Sequence, residues 1–216
     1  MKGNLLIIDA CVRQADSRTL RIAEPILKTL RPRFDSSFRY ILPQMKGVVP
    51  LMPKTFAERM TEGKIPTWAL DAARRIAAAD AIVIIAPFWD MGIPAVLKCF
   101  FEQTSLFGIT FTDNGKTCVG LCKRPPVLFI TSRGMDIKTG SSREQATPYL
   151  KALGSLWGLG KVTTIAATNM DYCTPEELEE KIATASREGI DIVKYHFEVG
   201  VGKGMFHRVE GKETDD

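Results

Sequence analysis

No stretch of the 216-residue chain is apolar for anything near the ~20 residues that a membrane-spanning helix needs, so no membrane span is expected. The N-terminal MKGNLLIIDACVRQADS offers one lysine and a short apolar run that passes straight into polar residues. That run is too short for the core of a secretory signal, and no small-residue cleavage site follows it, which points to the cytoplasm. Cysteine is sparse. Cys11, Cys99, Cys118, Cys122 and Cys173 are odd in number and scattered in spacing, so they make no disulfide framework. Cys118 and Cys122 lack the second Cys or His pair that would complete a zinc site, and reduced thiols without metal are expected. His196 and His207, the two histidines, fall in or near the C-terminal tail, where solvent exposure is expected. No side chain stands out as a catalytic acid or base. Nor does charge of one sign accumulate: the net charge is +4, with basic residues spread along the chain, and no nucleic-acid partner is expected.

Two nucleotide signatures are missing as well. No GxGxxG with a following acidic residue exists to read a dinucleotide preference from. The segment GSLWGLGKV (154–162) has five residues between Gly154 and Gly160 where a triphosphate loop has four, and Val162 follows Lys161 where Ser or Thr is needed. It reads as a helix end with glycine at the C-cap, leading into a strand.

What is present is an alternation. Apolar runs recur at Asn4–Asp9, Ser37–Leu42, Ala81–Ala86, Val127–Thr131 and Lys161–Ala167. Between them, helical spacing places Leu20, Ala23, Leu27 and Leu30 on one side of 19–30, and Ala69, Ala72, Ala73, Ile76 and Ala77 on one side of 68–79. A third such stretch, 95–107, carries Val96, Leu97, Phe100, Phe101 and Phe107. Thr174-Pro175-Glu176-Glu177 signals a last helix with Thr at the N-cap, Pro at the first position and Glu three after the cap, ending near 196–200. Strands that are apolar throughout and alternate with helices predict an α/β fold, a parallel sheet covered on both faces. One doubly wound domain over 1–197 is expected, with 198–216 a flexible Gly-rich, charged tail. The one long irregular stretch is 43–66, a length that usually marks a functional or partner-bound connection.

In open parallel sheets ligands bind beyond the carboxyl ends of the strands, where the strand order reverses. With the order 2-1-3-4-5, three loops meet there: 10–17, 87–93 and 132–140. The first opens a helix with Ser17, Arg18 and Thr19, and the unpaired N–H groups and positive dipole of a helix start favour a phosphate. N-capping by Asp16 or Ser17 explains the same residues without a ligand. The second loop places Phe88 and Trp89 at a strand exit, where they either cap the core or, beside Gly92, offer flat rings and exposed main-chain N–H groups that suit a planar heterocycle. The third, TSRGMDIKTG, brings a hydroxyl, an arginine and Gly134 in succession, or is a plain turn.

APFWDMGIPAVLKCFFEQTSLFGITFTDNGK (86–116), LFITSRGMDIKTGSSREQATPYLKALGSLWGLG (128–160) and the loop ending in Ser17-Arg18-Thr19 resemble the flavodoxin-like FMN-dependent NADH-azoreductases and NAD(P)H:quinone reductases. The resemblance implies a flavodoxin-like three-layer sandwich with a five-stranded parallel sheet. It implies FMN as cofactor and NADH or NADPH as donor, with ping-pong transfer of two electrons to a small aromatic quinone, azo or nitro acceptor. Ser17, Arg18 and Thr19 would hold the FMN phosphate, with Cys11 in the same loop. Pro87, Phe88, Trp89, Asp90 and Met91 would run beside the isoalloxazine, and Ser132, Arg133 and Gly134 would approach its pyrimidine side. The family is generally a homodimer with each flavin at the subunit boundary, which would give 43–66 the task of covering the partner's site. An electron carrier without nicotinamide turnover, or a flavin-free module, fits the same scaffold; carriers tend to be strongly acidic, whereas this chain is at +4.

The chain departs from the family at Cys11, often serine, at Met135, commonly a second glycine, and at Trp89-Asp90, usually tyrosine-asparagine. A carboxylate beside the flavin disfavours an anionic reduced ring, so Asp90 either points away or lowers the flavin potential. The midpoint potentials of wild type and Asp90→Asn decide: a higher value in the variant is expected from a carboxylate at the ring, and equal values remove that influence.

Overall fold

The computed structural model describes residues 3–196. Seven strands lie among them in chain order: β1 (Asn4–Asp9), β2 (Ser36–Ile41), β3 (Ala81–Ile85), β4 (Phe111–Asp113), β5 (Cys118–Gly120), β6 (Val127–Ser132) and β7 (Val162–Ala167). The helices are α1 (Arg18–Leu30), α2 (Pro53–Glu62), α3 (Thr67–Ala78), α4 (Ala95–Thr104), α5 (Ala146–Trp157) and α6 (Pro175–His196). Five strands make one sheet in the order β2-β1-β3-β6-β7, every pairing parallel. Counted within that sheet, the order is the expected 2-1-3-4-5.

The pleat explains why these strands are apolar at nearly every residue. Leu6, Ile8, Ile82, Ile84 and Phe129 point to one face, where they meet Ala72 and Ile76 of α3, Phe100 and Phe101 of α4, and Leu150 and Trp157 of α5. Leu5, Ile7, Val83, Ile85, Leu128 and Ile130 point to the other, against Ile22, Ala23, Ile26 and Leu30 of α1 and Ile182, Ala185 and Val193 of α6. Both faces are covered, so both sets of alternating positions are apolar except near the carboxyl ends, where Asp9 and Thr131 are buried. Phe100 is fully buried, with Tyr40, Trp68 and Phe101 ring centroids 5.7, 6.0 and 6.1 Å away. Truncating such a residue to alanine costs ~3–5 kcal/mol.

The last helix starts as the sequence predicts: Glu177 N donates to Thr174 Oγ1 (3.2 Å) and Thr174 N to Glu177 Oε2 (2.8 Å), a reciprocal capping box. Gly158, at φ +75°, ends α5 in the left-handed region that favours glycine. Elsewhere the structure corrects the reading. Strand β2 starts one residue earlier than expected. Helix α4 stops at Thr104, not Phe107, because Thr110 Oγ1 accepts from Leu106 N (3.0 Å) and turns the chain. Phe107 is left exposed, edge-on to Phe111. The stretch 43–66 is not irregular throughout: α2 forms inside it, with Pro53 at its first turn and Gly63 in the left-handed conformation at its end. The β4–β5 hairpin went unread, although its Asp-Asn-Gly turn carries a hairpin signal. Asn114 Oδ1 there accepts from Lys116 N and Thr117 N, both at 3.0 Å. The tail 198–216 and His207 lie outside the described residues. Among those described, no helix is long and apolar enough to cross a membrane.

The hairpin is held to α5 by backbone-to-backbone approach. A Cβ at Gly120 would stand 2.0 Å from Gly158 N, and Cys122 N donates to Trp157 O (3.0 Å). Gly120→Ala is therefore expected to lower the stability by ~1–3 kcal/mol, the usual penalty for overpacking, read as a fall in the urea midpoint. An unchanged midpoint would mean that the hairpin is not anchored there.

Candidate functional site

The carboxyl ends of β1, β3, β6 and β7 converge on a single cleft. After β1, the buried carboxylate of Asp9 shapes the turn: Oδ1 accepts from Cys11 N (2.9 Å) and Oδ2 pairs with Arg39 Nη2 (2.8 Å) on β2. A short turn over Gln14–Asp16 then delivers the chain into α1. Ser17 caps that helix, its Oγ accepting from Leu20 N (3.3 Å), so the ligand-free reading of this residue holds as far as it goes. The N–H groups of Arg18 and Thr19 keep no acceptor among the described residues, and both residues line the cleft. Thr19 Oγ1 and the β6 residue Ser132 Oγ share a hydrogen bond of 2.7 Å, which ties the helix start to the next wall.

The exit of β3 is a tight turn over Trp89–Gly92. Trp89 N donates to Gly92 O (3.2 Å) and Gly92 N to Trp89 O (2.8 Å). Both central residues are left-handed, Asp90 at φ +47° and Met91 at φ +63°. Such a turn prefers Asn and Gly. A non-glycine residue there costs on the order of 1–3 kcal/mol, so its surroundings must hold it. They do: Met91 O accepts from Gln145 N (2.9 Å), and Met91 packs against the core. The main-chain N–H groups of Asp90 and Met91 have no acceptor among the described residues. Phe88 is buried as floor, whereas Trp89 presents an exposed ring.

The β6 exit sets Ser132 and Gly134 on the cleft but turns the Arg133 side chain away from it. Arg133 is fully buried, with Nη1 donating to Ile137 O (2.7 Å) and Nη2 to Thr139 Oγ1 (3.0 Å). Its Nη2 lies 3.7 Å from Glu144 Oε1, itself fully buried and accepting from Thr147 N (2.7 Å) at the start of α5. Burial lowers the Arg133 pKa, and the Glu144 carboxylate opposes that shift. The guanidinium also stands 5.3 Å from the Phe88 ring centroid. Arg133 is thus a fastener for its own loop, with its main chain at the cleft.

Eleven of the twelve residues read from the sequence are brought together. Ser17, Arg18, Thr19, Pro87, Phe88, Trp89, Ser132, Arg133 and Gly134 line the inner part, and Asp90 and Met91 line the outer part with Met135. Cys11 is the exception. It is fully buried on the α1 side of the sheet, with Sγ 3.8 Å from Ile85 O, because the Asp9-pinned turn rotates it inward. Burial raises its pKa to about 12. The sequence reading missed the loop after β7, although the strand-end rule applies to it equally. Asp171 N donates to Gly134 O (3.1 Å), Met170 N donates to Arg133 O (3.1 Å), and Asp171 Oδ1 pairs with Arg18 Nη1 at 2.5 Å. At Gly134 a Cβ would lie 2.0 Å from Asp171 Oδ2, so a larger residue there would displace that carboxylate.

A doubly wound parallel sheet in this strand order, with a cleft at its switch point, defines a flavodoxin-like protein. Residues 3–190 match the family described as flavodoxin-like fold, and the chain belongs to that family. A relative from Clostridium perfringens (strain 13 / Type A), "FMN-dependent NADH:quinone oxidoreductase 2", is 31% identical over 198 residues, covering 89% of this chain and 98% of that protein. An "FMN-dependent NADH:quinone oxidoreductase" from Caldicellulosiruptor bescii is 35% identical over 127 residues, 58% of this chain and 63% of the relative. Among solved structures, the azoreductase from Bacillus anthracis str. Sterne superposes with a TM-score of 0.73 at 19% identity, covering 88% of this chain and 98% of that one.

If Cys11 belongs to the core and not to the cleft, Cys11→Ala lowers stability by about 1 kcal/mol through lost burial and leaves FMN affinity within about twofold. A selective loss of FMN affinity, with the melting temperature unchanged, would return Cys11 to the site.

Proposed function

We propose that this chain is an FMN-dependent oxidoreductase that passes two electrons from NADH or NADPH to small aromatic quinone, azo or nitro acceptors. The observation that carries the reading is the meeting, in one cleft, of two unpaired amides at the start of α1 with the aromatic exit of β3. The names of the relatives favour FMN, NADH and a quinone. The residues fit the cofactor: the Arg18 and Thr19 amides, the Arg18 guanidinium and the Ser17 hydroxyl suit its phosphate. The unpaired Asp90 and Met91 amides suit the polar edge of a planar ring. Gly134 lets the backbone come close, and the Thr19–Ser132 bond fixes the distance between the two ends. FMN, when bound, supplies the two-electron chemistry, and the protein supplies orientation and electrostatics.

The exposed Trp89 ring gives flat molecules a stacking surface at the mouth. Donor and acceptor that use one face cannot occupy it together, which is the basis for ping-pong kinetics. No side-chain acid or base is assigned. A homodimer with the site at the subunit boundary belongs to the same reading. Its support is α2, which has no buried residue, and the exposed Met52, Phe56 and Met60, which recur every four residues on one helix face. A cytoplasmic location completes the reading.

The first test is the absorbance spectrum of purified protein incubated with FMN and desalted, followed by anaerobic addition of NADH and of NADPH. Retained flavin that bleaches on addition is expected, with parallel initial-rate lines in the steady state and a solution mass near twice that of the chain. Flavin retained without bleaching would identify a carrier, and a colourless protein would overturn the cofactor assignment.

A further inference from the structure

The cleft contains a negative group that opposes its own anion site. Arg18 is the cationic side chain at the start of α1, and it is already engaged by Asp171 Oδ1 at 2.5 Å. The two residues are 153 positions apart, so the contact comes from the fold and not from neighbouring sequence. Asp171 is held firmly. Its N–H donates to Gly134 O, the preceding N–H donates to Arg133 O, and its Oδ2 occupies the space left by the missing side chain of Gly134. Asp171 also lines both the inner and the outer part of the cleft, so its charge sits between the two.

As a staple the pair has little value. Its side chains are 31% and 61% exposed, and ion pairs so open to water contribute only ~0–1 kcal/mol. Its effect on a bound anion is different. The start of α1 carries about half a positive charge and Arg18 a full one; Asp171 cancels most of that sum, while Arg13, exposed on the same cleft, makes no ion pair among the described residues and is untouched by it. A phosphate monoester brings about −1.5 to −2 charges at neutral pH.

We propose that Asp171 is a specificity-determining residue: it competes with the phosphate of the cofactor for Arg18 and so limits how strongly the cleft prefers a phosphorylated flavin over an unphosphorylated one. This rests on the FMN reading above. The consequence is a cofactor held for exchange instead of permanently, because each loss of phosphate contact is met by the return of Arg18 to Asp171. Asp90 and Asp16 are exposed and make no pair with Arg18, and buried Arg133 is matched by Glu144, so Asp171 is the carboxylate that engages Arg18 among the described residues.

The test compares dissociation constants of FMN and riboflavin, read by flavin fluorescence at low ionic strength. The proteins are wild type, Asp171→Asn, Arg18→Gln and the double variant. Asparagine keeps the shape against Gly134 and removes the charge. Asp171→Asn is expected to tighten FMN about tenfold (~1.4 kcal/mol) and to leave riboflavin within about twofold. Arg18→Gln should weaken FMN more in the Asp171→Asn background than in wild type, since Arg18 is then no longer shared. Asp171→Ser, which also removes the charge, should move FMN in the same direction if the amide variant folds poorly. An equal change for both flavins, or an FMN-to-riboflavin ratio unmoved by either Asp171 variant, sinks the proposal while leaving the FMN reading intact. A wild-type protein that binds neither flavin overturns both.

Discussion

Strands β1 and β3 lie side by side with parallel register, Leu6 opposite Ile82 and Ile8 opposite Ile84, while their onward connections leave toward opposite edges of the sheet. That constraint organises the rest. Helices cover both faces, but none can close the gap at the carboxyl ends, where one connection turns to α1 and the other toward β6. Backbone groups that would be paired inside an element are exposed at this point. The unpaired amides of Arg18, Thr19, Asp90 and Met91 follow from it, and so does the existence of a cleft.

Buried charges then fix what the cleft looks like. Asp9 with Arg39, and Arg133 with Glu144, each place an ion pair where desolvation is expensive. Neither pair is an efficient source of stability. Each holds a loop instead: Asp9 also binds the amide of Cys11, and Arg133 binds Ile137 and Thr139 across its own loop. The strained turn at Asp90 and Met91 is sustained by the same rigid surroundings. Local cost is concentrated where a ligand surface has to be kept in shape, a pattern expected of functional sites.

Much of this was legible in the residues. The apolar runs gave five strands to within about a residue at most ends, the Thr174 box gave the start of α6, and the strand-end rule gave three of the four walls. What escaped did so for physical reasons. The period of 95–107 could not reveal Thr110, whose hydroxyl ends α4 early. The loop after β7 carries no glycine, its one aromatic, Tyr172, is exposed and does not line the inner cleft, and its part in the site depends on Asp171 meeting Arg18 from the far end of the chain. Cys11 was assigned to the site from its place in the loop, and nothing local records the turn that rotates it away.

The sequence alone therefore determined the five strands of the sheet, most of the helices that cover it and their layering, because the period of apolar residues is set by which faces each element must bury. It also determined which loops leave the strand ends, since alternation of strand and helix leaves few ways to wind one sheet. Tertiary structure alone decided the direction of individual side chains in those loops. Arg133 turns inward, Cys11 enters the core, and Asp171 reaches Arg18, each through contacts between residues that the chain keeps apart. Such contacts depend on distances across the sheet, and no spacing along the chain encodes them.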